Sequence, residues 1–293
     1  MDSIIEQFLH KFGIFEAKYE LLTNHEKNNT FLVYSNNIFY ILKIYKGKEE
    51  SKRLKQEVRL ISNLWVMQNN IPCYLLSENN NLIENICENE VYSAGIYTMK
   101  AGTTIETPVA YHLDLLFPSL IELLRNLKTI EGKHSFEKRT VKELLDSSFL
   151  KYKEHQIVSL DDIYTELSKS LLSYNPKYQL LHGDLHYGNI LLDDTEIIFI
   201  DFEDSHIGDI LFELSSLFLP PFNKKSLESK ILSGLLEYNL LTIEDLPYIN
   251  LLVSIKYFTL ILNEKNITNK KIDYIKKNIN SYMHIYKRRD EVL

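Results

Sequence analysis

A change of hydrophobic pattern partway along the chain restricts the fold more than any other feature. The first hundred residues carry β-like runs at Phe15–Leu22, Thr30–Ser35 and Ile38–Tyr45, the last two joined by Asn36-Asn37, a two-residue link suited to a tight hairpin. An antiparallel sheet is expected to begin there. A short helix over residues 2–12 precedes it, with Ile4, Ile5, Phe8, Leu9 and Phe12 at helical spacing, and a longer helix over 49–69 follows, with Leu54, Val58, Ile61, Leu64 and Trp65 on one face. Val91–Met99 returns to strand spacing, and Lys100-Ala101-Gly102 reads as a turn and hinge. Beyond it Val109–Thr129, Val141–Tyr152 and Leu160–Tyr174 read as helices. Short β runs at Ile190–Leu192 and Glu196–Ile200 bracket Asp193-Asp194 as a hairpin turn. Everything after them is expected to be helix, interrupted at Pro220-Pro221 and Pro247. The layout is α+β: a small β-rich amino-terminal lobe, residues 1–101, and a larger, mainly helical lobe, residues 102–293, with a cleft between them as the default ligand site.

Charge and cysteine usage narrow the function. Among 293 residues, 33 Lys and Arg face 40 Asp and Glu, a net charge of −7, so no chain-wide basic field gathers nucleic acid or anionic lipid. Cys73 and Cys87 are too few for a disulfide framework and lack the C-x-x-C spacing of a structural zinc site, which points to reduced thiols and a cytoplasmic setting. The amino terminus has acids within its apolar stretch and no cleavable small-residue site, and no run approaches the length of a membrane span.

The densest polar cluster is His182-Gly183-Asp184-Leu185-His186-Tyr187-Gly188-Asn189, followed by Ile200-Asp201-Phe202-Glu203-Asp204 and Gly208-Asp209. Two glycines let the first segment bend, so the Asp184 carboxylate and the Asn189 amide can turn toward a common point. Asp201, at the end of an apolar run, would add a second carboxylate there. An amide oxygen, a carboxylate and phosphate oxygens make a natural set for Mg²⁺, a hard cation that keeps oxygen ligands, and phosphoryl transfer is the chemistry that follows.

These segments, HGDLHYGN with IDFED, resemble the catalytic and metal-binding segments of the aminoglycoside phosphotransferase and choline kinase-like family, which shares the two-lobed protein kinase-like fold. The resemblance implies Asp184 as the residue that orients the acceptor hydroxyl and takes its proton, with Asn189 and Asp201 as Mg²⁺ ligands. It implies Lys43, mid-strand in Tyr40–Tyr45, on the α and β phosphates of ATP or GTP, paired with Glu57 of the following helix. Adenine would meet the backbone near Met99–Ala101, with Met99 and Ile96 as apolar neighbours. The roof of the nucleotide site would be Thr23–Asn29, which departs from the glycine-rich type by having no glycine, leaving Asn28, Asn29 and Thr30 as candidates for phosphate contact. Asp201-Phe202-Glu203 stands where protein kinases carry Asp-Phe-Gly, as in the small-molecule branch. Asp209 would bond backbone near the catalytic loop, and Glu213 stands where many relatives have Asp.

The implied enzyme transfers the γ-phosphoryl group of ATP or GTP, with Mg²⁺, to a hydroxyl of a small molecule. An aminoglycoside-like antibiotic, choline, homoserine and a sugar all remain open as acceptors, and acid-rich stretches such as Glu203-Asp204, Glu244-Asp245 and Glu264 would suit a cationic one. Selectivity is expected in the last two helices, Thr242–Asn263 and Asn269–Arg288. Two other readings stand beside this one. The first is a transition-metal hydrolase built on His182, Asp184, His186, Asp201, Asp204 and His206. The second is a catalytically silent kinase-like binding or coat protein.

Overall fold

The structure, a computed structural model, describes residues 1–24, 28–106, 108–132, 135–153, 160–219, 225–262 and 269–287. In chain order its elements are α1 (Asp2–Lys11), β1 (Lys18–Asn24), β2 (Asn28–Ser35), β3 (Ile38–Lys46), α2 (Lys48–Met67), β4 (Glu84–Cys87), β5 (Val91–Thr98) and β6 (Thr103–Thr104). Then follow α3 (Ala110–Glu131), α4 (Val141–Lys153), α5 (Asp161–Ser170), β7 (Tyr178–Leu180), β8 (Ile190–Asp193), β9 (Glu196–Phe199), β10 (Ile207–Asp209), α6 (Ile210–Leu214), α7 (Lys225–Glu237), α8 (Leu246–Leu262) and α9 (Asn269–Lys287). The chain divides into two compact units, residues 1–104 with 189–205, and residues 105–188 with 206–293.

The first unit is built on an antiparallel sheet in the order β1-β2-β3-β5-β4. Its core forms where the apolar stripe of α1, Ile5, Phe8 and Leu9, meets one face of the sheet through Phe31, Val33, Leu42 and Ile44. Leu54, Val58, Ile61 and Leu64 make the buried face of α2, as their spacing predicts, and Trp65 lies at its margin with the Lys100 ammonium 4.9 Å from its ring. The two-stranded hairpin β8–β9 joins this unit because Thr103 and Thr104 of β6 pair with Leu192 and Leu191 of β8. Gly102 makes that approach possible. Its φ is +126°, and a Cβ there would stand 3.0 Å from the Leu192 carbonyl oxygen.

The second unit is helical, with buried stripes such as Leu113, Leu116, Leu120, Leu124 and Leu127 of α3 and a largely buried α8. Within it β7 pairs antiparallel with β10, Ile207 opposite Leu180.

Several elements differ from the sequence expectation, each for a local reason. The first strand begins at Lys18 rather than Phe15, because Glu16 takes a left-handed φ of 52° and leaves Phe15 exposed. β4 is an edge strand of four residues, too short to show alternation, and its Glu84 is drawn inward by Ser77, Asn81 and Lys11. The expectation of helix throughout the segment after residue 200 is corrected by β10, a three-residue strand with no periodicity to read. The helix expected to run to Tyr174 ends at Ser170 and closes with a 3₁₀ turn, Leu171–Ser173. Pro247 does not interrupt a helix: it is the second residue of α8, within the first turn, where the missing N–H costs nothing. Pro220-Pro221, Asn263, Glu264 and Arg288 lie outside the described residues, as do His25–Lys27 of the expected roof. Among the described residues no helix is long and apolar enough to cross a membrane.

Candidate active site

In the first unit, β3 carries Lys43 between Thr30 of β2 and Gly95 of β5, with its side chain almost sealed from solvent. Its ammonium lies 2.9 Å from Glu57 Oε1, 2.7 Å from Asp201 Oδ1 and 3.8 Å from Glu203 Oε2. Burial works against the lysine charge, and Glu57 together with the Tyr97, Tyr45 and Tyr74 phenols outweighs it, so Lys43 stays protonated well above the usual lysine range. Helix α2 places Glu57 opposite because its apolar neighbours Leu54, Val58 and Ile61 anchor the same face.

Around this pair the structure adds Tyr45, which sequence reasoning left without a role, and draws in Glu203 and Asn28. The Tyr45 hydroxyl donates to Glu203 Oε2 at 2.7 Å and has Glu57 Oε2 3.2 Å away; Asn28 Nδ2 donates to Glu203 at 3.1 Å. Burial, first, and the neighbouring carboxylates keep the Tyr45 phenol protonated far above its ordinary range. One signal was available: Tyr45 is two residues after Lys43 on a strand and so shares its face.

Asp201 adopts φ 66°, a left-handed conformation that Asp tolerates better than most side chains. Asn189, largely buried, opens the β8–β9 hairpin, and the N–H of Ile200 at its far end donates to the Asn189 carbonyl at 3.1 Å. The hairpin thus holds the residues carrying the amide and the carboxylate side by side in backbone. These are hard oxygen donors, and the half-exposed Asp201 carboxylate remains open to a cation, so the pair fits Mg²⁺ completed by phosphate oxygens and water.

A cavity of about 430 Å³ opens in this unit beside Lys43 and Asp201, with Ile41, Tyr97, Met99 and Leu191 on its apolar walls. Its volume suits a small organic ligand. Met99 lines it with a half-exposed side chain, but its backbone N–H is taken by the Phe39 carbonyl at 2.8 Å. Ala101 is exposed, and Lys100 and Gly102 line the cavity on either side of it. Ile96 corrects the expectation: it is fully buried in the core beneath the sheet, away from these walls. Of the roof candidates, Thr30 lines the cavity, while the Asn28 side chain is committed to Glu203.

In the second unit, Asp184 presents a half-exposed carboxylate with His186 Nε2 3.3 Å from its Oδ2. The Nδ1 of that imidazole accepts from the Gly188 N–H at 2.9 Å, so in the neutral ring the proton sits on Nε2 and faces Asp184. Burial raises the Asp184 pKa, and the hydrogen bond from His186, with the charges of His186, His182 and Lys256, together reverse this and hold the carboxyl below its usual range. His182 is fully buried, and its Nδ1 accepts from the Asp184 N–H at 3.3 Å, a loop-holding contact. Among the described residues no three His, Cys, Asp or Glu side chains converge as metal ligands, so the hydrolase constellation does not form there.

Glu213 also acquires a place. Both of its carboxylate oxygens accept from the Gly183 N–H at 3.2 Å, which ties α6 to the turn before Asp184. Burial pushes its carboxyl up to about 7, against the opposing pull of Lys256 and of backbone N–H groups. Asp209 caps α6 through the Leu211 N–H at 3.2 Å, accepts from the Lys177 N–H at 3.2 Å and takes the Tyr174 hydroxyl at 2.5 Å. Lys256 of α8 was not foreseen. Its ammonium stands 4.2 Å from the Phe212 ring centre, and its charge acts on both Glu213 and Asp184. One local signal was available: Lys256 is the single charged residue of α8, and a lone charge in an apolar helix is buried with a partner.

The chain resembles solved structures over almost its full length. It aligns with an amicoumacin kinase in complex with AMP-PNP, Ca²⁺ and Ami at 14% identity and a TM-score of 0.72, covering 98% of this chain and 93% of that one. A microcompartment-associated aminopropanol kinase gives 16% and 0.69, covering 100% and 98%, and a spectinomycin phosphotransferase in complex with ADP and its antibiotic gives 14% and 0.64, covering 97% of each. These likenesses show the protein kinase-like fold. None of the curated proteins matches the chain. Residues 18–231 match the profile of the phosphotransferase enzyme family. With that match spanning most of its length, the chain belongs to the phosphotransferase enzyme family.

Proposed function

We propose that this protein transfers the γ-phosphoryl group of ATP, or of GTP, to an alcohol oxygen of a small molecule, with Asp184 as the catalytic residue. The observation that carries the proposal is the Lys43–Glu57–Asp201 cluster on the wall of the first unit's cavity. A buried ammonium held between two carboxylates beside an open cavity is placed to receive polyphosphate, which would replace part of the anionic field now supplied by Asp201.

In this reading the first lobe binds nucleotide. Met99 and Ala101 flank the base, Ile41, Tyr97 and Leu191 pack against it, Lys43 takes the phosphates, and Glu57 positions Lys43. Asn189 and Asp201 would hold Mg²⁺, which when bound would supply positive charge against the phosphates. The second lobe binds the acceptor. Asp184, ionised and oriented by His186, accepts a hydrogen bond from the acceptor hydroxyl, aims its lone pair at phosphorus and takes the proton as the new O–P bond forms. A loose transition state asks for this positioning more than for strong base catalysis.

The acceptor class rests on likeness: the kinases named above act on antibiotics and on aminopropanol, and an aminoglycoside-like molecule is the first to try. The cytoplasmic setting rests on Cys73 and Cys87, both free thiols. Calorimetric titration with ATP and GTP, with and without Mg²⁺, tests the proposal without knowledge of the acceptor. Saturable binding that requires Mg²⁺ is expected; failure of folded protein to bind either nucleotide overturns it.

A further inference from the structure

A second cavity of about 430 Å³ lies wholly within the second unit, away from Asp184 and its partners. One stripe of α3 forms a wall: Ile121 and Leu124 are apolar, and Arg125 and Lys128, one turn on, are exposed cations. Leu240 and Leu241, in the link between α7 and α8, and Ile210 complete the apolar part. Lys177 also borders it, and its ammonium is bound by Asp245 at 2.6 and 2.8 Å. Neither Arg125 nor Lys128 has an ion-pair partner among the described residues. The lining therefore sets three cations against a single carboxylate, in a chain whose net charge is −7.

Apolar walls edged by two cations that have no ion-pair partner among the described residues select one kind of ligand.

We infer that this cavity binds a small amphiphilic anion, an apolar body with a carboxylate or phosphate head that meets Arg125 and Lys128. Nothing in the phosphoryl-transfer chemistry requires such a site, and its occupant is distinct from nucleotide and acceptor alike.

The test is calorimetric titration of the full chain with sodium octanoate, phenyl phosphate and inorganic phosphate, repeated in the double variant Arg125→Glu, Lys128→Glu. Both cations are exposed, so the double variant is expected to fold, which circular dichroism checks. The proposal expects octanoate or phenyl phosphate to bind with Kd no weaker than about 1 mM, and about tenfold more weakly to the charge-reversed variant. Octanoate alone binding assigns a carboxylate head; phenyl phosphate alone binding assigns a phosphate head. Three results overturn the inference: no saturable binding of either amphiphile, equal affinity in the charge-reversed variant, or inorganic phosphate binding as tightly as phenyl phosphate, which leaves the apolar walls without a part. Displacement of the probe by ATP overturns it as well, since the probe would then occupy the nucleotide cavity.

Discussion

The Lys43 ammonium and the Glu57 carboxylate meet at 2.9 Å with both side chains almost entirely out of solvent. Such a pair is worth less to stability than its loss costs, because the surviving partner is left charged in a poorly polarisable interior. Glu57→Ala is expected to lower unfolding free energy by roughly 3–5 kcal/mol, while Glu57→Gln, which keeps a hydrogen-bond acceptor, costs less. Urea denaturation of the three proteins checks the order; an alanine variant as stable as wild type would show that the pair is relaxed in solution.

Asp184 and Asp201 are expected to fail in different ways. Asp201→Ala removes the carboxylate of the cation pair, so nucleotide binding loses its dependence on Mg²⁺. Asp184→Ala leaves the first unit intact, so nucleotide binds nearly normally, while turnover falls by at least about 100-fold. Parallel titrations and a phosphate-release or acceptor assay separate the two, and turnover retained by purified Asp184→Ala contradicts the assignment.

Tyr45 and Glu203 are coupled through a 2.7 Å hydrogen bond that joins β3 to the segment following Asp201. Tyr45→Phe leaves a partly buried carboxylate short of a donor and is expected to cost about 1–3 kcal/mol. In a double-mutant cycle with Glu203→Gln the two effects should be non-additive by at least about 0.5 kcal/mol. Strict additivity would mean that the hydroxyl bonds elsewhere in solution.

Glu213 makes stability depend on pH. Its carboxyl ionises near 7 in the folded chain, against an ordinary value of 4.5, so between those values the unfolded chain has lost a proton that the folded chain keeps. Stability therefore falls as pH rises through that window, by roughly 3 kcal/mol from this group alone, and is level above it. Glu213→Gln, which cannot ionise, should flatten this part of the profile of unfolding free energy against pH; an unchanged slope would assign the dependence to other groups.

Gly234 sits in α7 where a Cβ would lie 2.2 Å from the Phe117 ring of α3. Alanine is the better helix former by up to about 1 kcal/mol, but Phe117 is buried and stacked on Tyr238 and cannot swing clear. Overpacking is expected to win, with Gly234→Ala destabilising by about 1–3 kcal/mol. A higher melting temperature in the variant would show that α7 can shift outward.

What the sequence determined by itself is local in origin. Alternation marked β2, β3 and β5, helical spacing marked α1, α2 and α3, and the density of Asp, Asn, His and Gly between residues 182 and 209 marked the candidate site segments, because each signal is carried by neighbours along the chain. The pairing of Lys43 with Glu57 came from the family resemblance, which sets a lysine of the third strand against a glutamate of the following helix. The tertiary structure alone decided the rest. Residues 189–205 join the first unit through the pairing of Thr103–Thr104 with Leu191–Leu192, a contact between segments far apart in sequence; β8 was legible as a short β run, but β6, two residues long, carries no period to read. Glu203 finds Tyr45 and Asn28, Glu213 finds the Gly183 N–H, and Lys256 comes within reach of Asp184's charge only once the helices have packed. A charged residue reads as solvated surface in most local windows; burial, which gives it a partner and a shifted pKa, belongs to the folded chain.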